Sequence, residues 1–230
     1  MRSDETPAGY RHVRTNDDGG RLFAPISDEQ PRRFPRRPVA AKPAIDWPAI
    51  HAKARAEIIP GELYDFADVV LGLSGESMDL LDVGVINDEY VFPERDECGR
   101  IIGILRRTKA GKKIAMSGGK RGLAYQYPLP VDDPVLVVEG PTDVAAAIEA
   151  GYTAVGRPSN VLGGEMLAKL LRGRRVIVFG ENDQKDDGRW PGREGVECII
   201  EHLNPVCASV QVLYPPDGVK DLRVWLGGAA

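Results

Sequence analysis

Carboxylates stand at the ends of short apolar runs at three places in the chain. Glu139 follows VLVV, Glu181 and Asp183 follow VIVF and one glycine, and Asp217 and Asp221 follow VQVLYPP. One acid in such a place serves as a helix cap or a solvated loop residue. Three sets in succession imply a shared centre. Packed together, carboxylates repel and raise one another's pKa, and a divalent cation removes that penalty. Mg²⁺, or Mn²⁺ in its place, takes hard oxygen ligands and keeps waters, so it suits a few carboxylates facing bound phosphates. Two such ions activate an attacking oxygen and stabilise a departing pyrophosphate. This is the equipment of phosphoryl or nucleotidyl transfer.

A polyanionic substrate also needs a cationic surface. From Arg100 to Gly122 the chain carries eight Lys and Arg and no acid, among them Arg106, Arg107, Lys113, Lys120 and Arg121. A solvated sheet face mixes both signs, whereas a one-sign stretch on adjacent strands suits phosphates. The plain alternative is a basic edge strand. SGGKRG is not a P-loop, because no Ser or Thr follows Lys120, and no GxGxxG follows the first apolar strand.

The elements that must position these residues follow from periodicity. Asp46 ahead of Pro48, with Ile50, Ala54 and Ile58 four apart, predicts a capped helix. ELYDFADVVLGLS and GESMDLLDVGV extend this into a helical lead-in. EYVFPERDECGRIIGILRRTKAGKKIAMSG predicts a β-meander with turns at DECG and KAGK. After Pro134, strands and helices alternate through VLVV, TDVAAAIEAG, TAV, EMLAKLLRG, VIVF, REGVECIIEHL, VQVL and KDLRVWL, which predicts a parallel sheet with helices on its faces. In such a sheet, ligands bind at the C-terminal strand ends, near the point where strand order reverses. All three acidic clusters fall at such ends.

Composition sets the outer bounds. The 230 residues are 43% hydrophobic, enough for a real core, while 26 glycines and 18 prolines exceed the usual share of roughly 12% and predict long loops or tails. PRRFPRRPVAAKP lies in a stretch, 1–45, without apolar period, which predicts a disordered, basic, proline-rich tail. The net charge is −4, but 1–45 is net basic, leaving the remainder acidic. Three histidines and three cysteines show neither CxxC nor ligand spacing, which excludes a structural zinc site and a disulfide framework. No apolar run reaches the length of a membrane span and the N-terminus is too polar for a signal peptide. The expectation is a cytoplasmic protein without membrane association.

Several of these segments together resemble the catalytic core of bacterial DNA primases. VLVVEGPTDVAAAIEAGYTAV is similar to the Toprim signature, an apolar strand followed by EG, two residues and D. VIVFGENDQ stands where that family has its aspartate pair, and YPPDGVKDLRVWL resembles its late PDG segment. Upstream, YVFPERDECGRIIGILRR and KKIAMSGGKRGLAYQ are similar to the primase FP, RD, GR and lysine-bearing blocks. The resemblance runs from about Trp47 to Leu226.

It implies an α/β fold: a Toprim domain, Rossmann-like with flanking helices, over 132–230, preceded by a small α+β basic subdomain over 46–131. It implies Glu139 and Asp183 as catalytic residues and Glu139, Glu181, Asp183 and Asp221 as ligands of Mg²⁺ or Mn²⁺. Asp143, Arg106, Arg107, Lys113, Lys120 and Arg121 would contact nucleotide or DNA. The implied activity is metal-dependent synthesis of RNA primers on single-stranded DNA from nucleoside triphosphates during DNA replication. A replicative helicase or a separate zinc-module chain is the expected partner, since neither module is found in this sequence. Glu181 departs from the family's Asp-x-Asp pair, and QKDDGRWPGREG is longer than its usual turn, with Trp190 placed either to stack a base or to pin the loop. A nucleic-acid-binding Toprim accessory protein without chemistry, and a Toprim nuclease, remain open as alternatives.

Overall fold

Val135–Glu139 alternates its side chains between two different cores, as a strand buried on both faces must. Leu136 and Val138 enter one core, and Val135 and Val137 enter the other. Around this strand the computed structural model builds the rest of the fold. It describes residues 6, 8–15, 20–26, 44–108, 110–182 and 184–227. The chain divides into two units, Met1–Pro43 and Ala44–Ala230.

In the first unit, β1 (Tyr10–Thr15) pairs antiparallel with β2 (Arg21–Pro25). This corrects the expectation of disorder at those residues. His12 meets Phe23 edge-on at 5.7 Å, and Tyr10, Val13 and Leu22 are exposed. Two strands of five or six residues carry too short a period-2 signal to stand out among charges. The proline-rich run Pro31–Pro43 lies outside the described residues.

The second unit opens on α1 (Trp47–Ala56), where Asp46 caps the Ala49 N–H at 3.0 Å and Pro48 occupies the first turn. Then come α2 (Pro60–Asp65), a π-helical turn (Phe66–Leu71) and α3 (Gly75–Leu80). A four-stranded antiparallel sheet follows in the order β3 (Gly84–Ile86), β4 (Glu89–Arg95), β5 (Ile101–Arg107) and β6 (Lys113–Ala115). The helical lead-in therefore stops before Gly84, earlier than the sequence reading has it. Asn87 and Asp88 both take positive φ, 51° and 59°, the geometry of a two-residue hairpin between β3 and β4.

The second sheet has five strands: β7 (Ala124–Tyr125), β8 (Val135–Glu139), β9 (Ala154–Arg157), β10 (Arg175–Phe179) and β11 (Ser209–Leu213). Their order is β11-β10-β8-β9-β7, with every pair parallel except the antiparallel edge strand β7. The helices α4 (Pro141–Glu149), α5 (Gly164–Leu170) and α6 (Pro191–Leu203) make the crossovers, and α7 (Leu222–Trp225) follows β11.

Helix α4 packs on one face with Leu136, Val138 and Phe179, in a core that also takes Leu63, Leu71, Phe92 and Leu105 from the preceding helices and strands. The other face carries α5 and α6 through Leu167, Val196, Ile199 and Leu203. Each such side chain contributes about 1.5–3 kcal/mol on burial, so one core ties both sheets together. The chain runs from β8 to β9 on one side and returns to β10 on the other, so strand order reverses between β8 and β10. Among the described residues no helix is long and apolar enough to cross a membrane.

Candidate active site

Glu139 is the last residue of β8 and Glu181 stands two residues beyond β10, on the two strands that flank the reversal point. The segment between β8 and α4 turns through Gly140 at φ +81°, a conformation that L side chains rarely adopt. A Cβ there would also stand 3.4 Å from the Lys113 Nζ. The EG turn thus brings the start of β6 against the end of β8. Between the two sheets lies a cavity of about 190 Å³ whose walls include Lys113, Arg121, Glu139, Gly140, Arg157 and Glu181.

Arg157 ends β9 and pairs in register with Glu139. Its Nη2 lies 3.4 Å from Glu139 Oε2, with the arginine side chain 0% and the glutamate 27% exposed. Its Nη1 donates to the Asn160 carbonyl at 2.7 Å. Burial lowers the arginine below its ordinary pKa, while Glu139 and Glu181 act in the opposite direction. Arg157 was not among the residues picked out from sequence. No local pattern marks it, because its role comes from the register that pairs it with Glu139.

Lys113 stays open to solvent at the cleft mouth, yet protein crowds its ammonium from both sheets; in a concave site, surface access and local density part company. The direction set by crowding is downward, opposed by Asp143, Glu181 and Glu139. Arg121 lines the cleft, held by its Nε on Glu94 Oε1 at 2.6 Å and by its Nη2 on the Pro158 carbonyl at 2.7 Å. Glu94 is buried, and desolvation pushes its carboxyl up against the pull of Arg121.

Asp143 lies in the first turn of α4, buried, and accepts the Arg223 N–H at 3.2 Å. Burial and then the nearby Asp221 push its pKa up to about 7. Asp143 does not cap its own helix, where Gly140 is the N-cap. Asp221 is buried as the N-cap of α7, accepting the Val224 N–H at 2.9 Å. Arg107 is half-buried, and crowding and Arg223 lower its pKa.

Arg106 is engaged with Glu89 at 2.9 Å, and Lys120 is exposed, away from the cleft lining. Asp183 lies outside the described residues, as does Lys109 of the basic stretch. Of the QKDDGRWPGREG segment, Trp190 carries the Arg193 guanidinium over its ring at 4.2 Å, and Gly192 packs so closely on Glu181 that a Cβ would collide with its carbonyl oxygen.

The donor chemistry decides whether a divalent cation fits. Glu139, Glu181, Asp143 and Asp221 offer hard oxygens, and Asp143 is lifted by burial first and by the repulsion of Asp221 second, a repulsion that a cation would relieve. Among the described residues no three such side chains converge on one point. Mg²⁺ needs no such cage, since one or two carboxylates plus substrate phosphates and waters suffice. The site fits that group, with Glu139 and Glu181 as the residues placed to hold it beside the basic wall.

No family model matches the sequence, and no curated protein does. Solved structures do. A DnaG catalytic core superposes with a TM-score of 0.56 at 18% identity, covering 80% of this chain and 75% of that one. The Escherichia coli primase catalytic core gives 0.54 at 18%, covering 77% and 74%. The RNA polymerase domain of Mycobacterium tuberculosis primase DnaG, in complex with double-stranded DNA, gives 0.51 at 17%, again covering 77% and 74%. This chain has the fold of a primase catalytic core, as the sequence resemblance implied.

Proposed function

We propose that this protein is a primase-type nucleotidyltransferase, joining ribonucleotides on a single-stranded DNA template with Mg²⁺ or Mn²⁺. The observation that carries this reading is the placement of Glu139 at the strand-order reversal, in one cleft with Lys113 from the antiparallel sheet and Arg121 from the segment that follows it. The primase-core fold supports it.

In this reading Lys113 and Arg121 hold phosphates of nucleotide or template, and the bond of Arg121 to Glu94 limits how far its guanidinium can stray. Glu139, paired with Arg157, is placed to accept a proton from an attacking hydroxyl or to ligate a cation. A bound divalent cation would supply charge neutralisation for the phosphates and the leaving pyrophosphate. Glu181 holds the second side of the cleft, and Asp183 joins it by sequence position. Asp143 and Asp221 stand behind them and fix α7 against α4. A replicative helicase or a zinc-module chain is the partner class this activity calls for.

One observation favours a second reading. Arg157 already neutralises Glu139, as in a site that binds nucleic acid without turning it over. Incubation with labelled ribonucleotides, single-stranded DNA and Mg²⁺ or Mn²⁺ separates the possibilities by the direction of length change. Metal-dependent oligonucleotides longer than the label support a polymerase. Binding without product supports an accessory protein, and shortened template a nuclease.

A further inference from the structure

The buried guanidinium of Arg157 makes fewer bonds than it offers. Its side chain is 0% exposed, yet among the described residues its buried Nε and Nη2 have no hydrogen-bond acceptor. The ion pair from Nη2 to Glu139, at 3.4 Å, is too long to serve as one. A buried donor left unsatisfied costs about 1–3 kcal/mol, and more on a charged group, so a fold keeps such a pair for a reason. Both belong to a residue that lines the cleft between Lys113, Arg121 and the Gly140 turn. The remaining donor is fixed on the Asn160 carbonyl at 2.7 Å, which holds the plane of the guanidinium. A planar fork with two unpaired donors, buried in the wall of a cationic cleft, matches the oxygens of a phosphate.

We propose that Arg157 is a phosphate anchor in this cleft, donating from Nε and Nη2 to phosphate oxygens of a nucleotide or pyrophosphate. The inference rests on the nucleotidyltransferase reading for the identity of the ligand. Its chemistry needs only a phosphate. Glu139 then has two relations to Arg157: it is the counter-ion of the buried guanidinium, and it competes with phosphate for the same donors. Removing the Glu139 charge therefore tightens phosphate binding, while removing Arg157 weakens it.

The test is calorimetric titration of inorganic pyrophosphate, without metal, into the native chain, Arg157→Lys, Arg157→Gln and Glu139→Gln. Two charge-assisted hydrogen bonds predict a loss of about a hundredfold or more in Arg157→Gln. Arg157→Lys should fall between, because an ammonium keeps the charge but not the fork. Glu139→Gln should bind several-fold tighter than native. That variant keeps Arg157, so the idea stays testable even where the arginine variants fail to fold. Equal affinity in native and Arg157→Gln, or weaker binding in Glu139→Gln, would overturn the anchor and leave Arg157 a structural counter-ion. Nucleotide incorporation measured on the same samples separates the two claims. Arg157-dependent pyrophosphate binding without product sinks the polymerase reading alone, and product with Arg157-independent binding sinks the anchor alone.

Discussion

At the scale of single residues, Asp143 makes the electrostatic load of the site measurable. Its folded-state pKa, about 7, lies above that of an aspartate in an unfolded chain, near 4. The folded state therefore binds this proton more tightly than the unfolded one. The stability it contributes is fully present below about pH 4 and is lost as pH rises through about 7. Asp143→Asn keeps an oxygen to accept the Arg223 N–H and removes the charge. Thermal melts between about pH 4 and pH 8 should show a flatter profile for the variant and a higher midpoint at the alkaline end, reflecting a stability gain on the order of 1–4 kcal/mol. An unchanged slope would show that Asp143 is not the group responsible. Residues such as Glu139 were legible in the sequence because an acid straight after an apolar strand is a local pattern. Arg157 was not, since its meaning comes from a register pairing with Glu139 across two strands. Nor was the coupling of Asp143 to Asp221, which are far apart in sequence and meet only once α7 returns to α4.

At the scale of elements, the segment after β10 shows how packing sets the position of a functional loop. Asn182 donates its N–H to the Lys220 carbonyl at 2.8 Å, and Gly192 of α6 lies against the Glu181 backbone. Alanine suits a helix better than glycine by about 1 kcal/mol, so Gly192→Ala would stabilise α6 if the helix stood alone. Here the added Cβ has no room beside the Glu181 carbonyl. The expected result is an intact circular-dichroism spectrum with nucleotide incorporation reduced about a hundredfold, the scale of a 1 Å misplacement. Wild-type activity in that variant would mean that the position of Glu181 does not matter. The helices α1, α4 and α6 were readable because 3.6-residue periodicity acts over whole turns, helped in α1 by the Asp46 cap. Strands β3 and β7, of three and two residues, were not. No period can establish itself over so few positions, and both strands exist through their neighbours. Trp190 resolves toward a packing role within its own loop through the stack with Arg193, and its reach toward a base is not needed for that contact.

At the scale of the whole molecule, a net charge of −4 coexists with a cationic wall on one side of a carboxylate-bearing cleft. That separation suits a protein that must draw a polyanion to one place without coating its surface in positive charge. Strand–helix alternation revealed the parallel sheet, whereas the order β11-β10-β8-β9-β7 was beyond the sequence. It arises from which crossover turns back, and that choice puts Glu139 and Glu181 on neighbouring strands. The shared core of Leu136 and Val138 with Phe92 and Leu105 then fixes the basic sheet against the acidic strand ends. The central claim is that this junction is one catalytic site. Its most direct test is labelled-ribonucleotide incorporation on single-stranded DNA, with Mg²⁺ or Mn²⁺, by the native chain and by Glu139→Gln. The expected result is metal-dependent oligonucleotides from the native chain and a loss of at least about a hundredfold in the variant, with DNA binding retained. Equal product from both chains would contradict the claim and move the chemistry away from the end of β8.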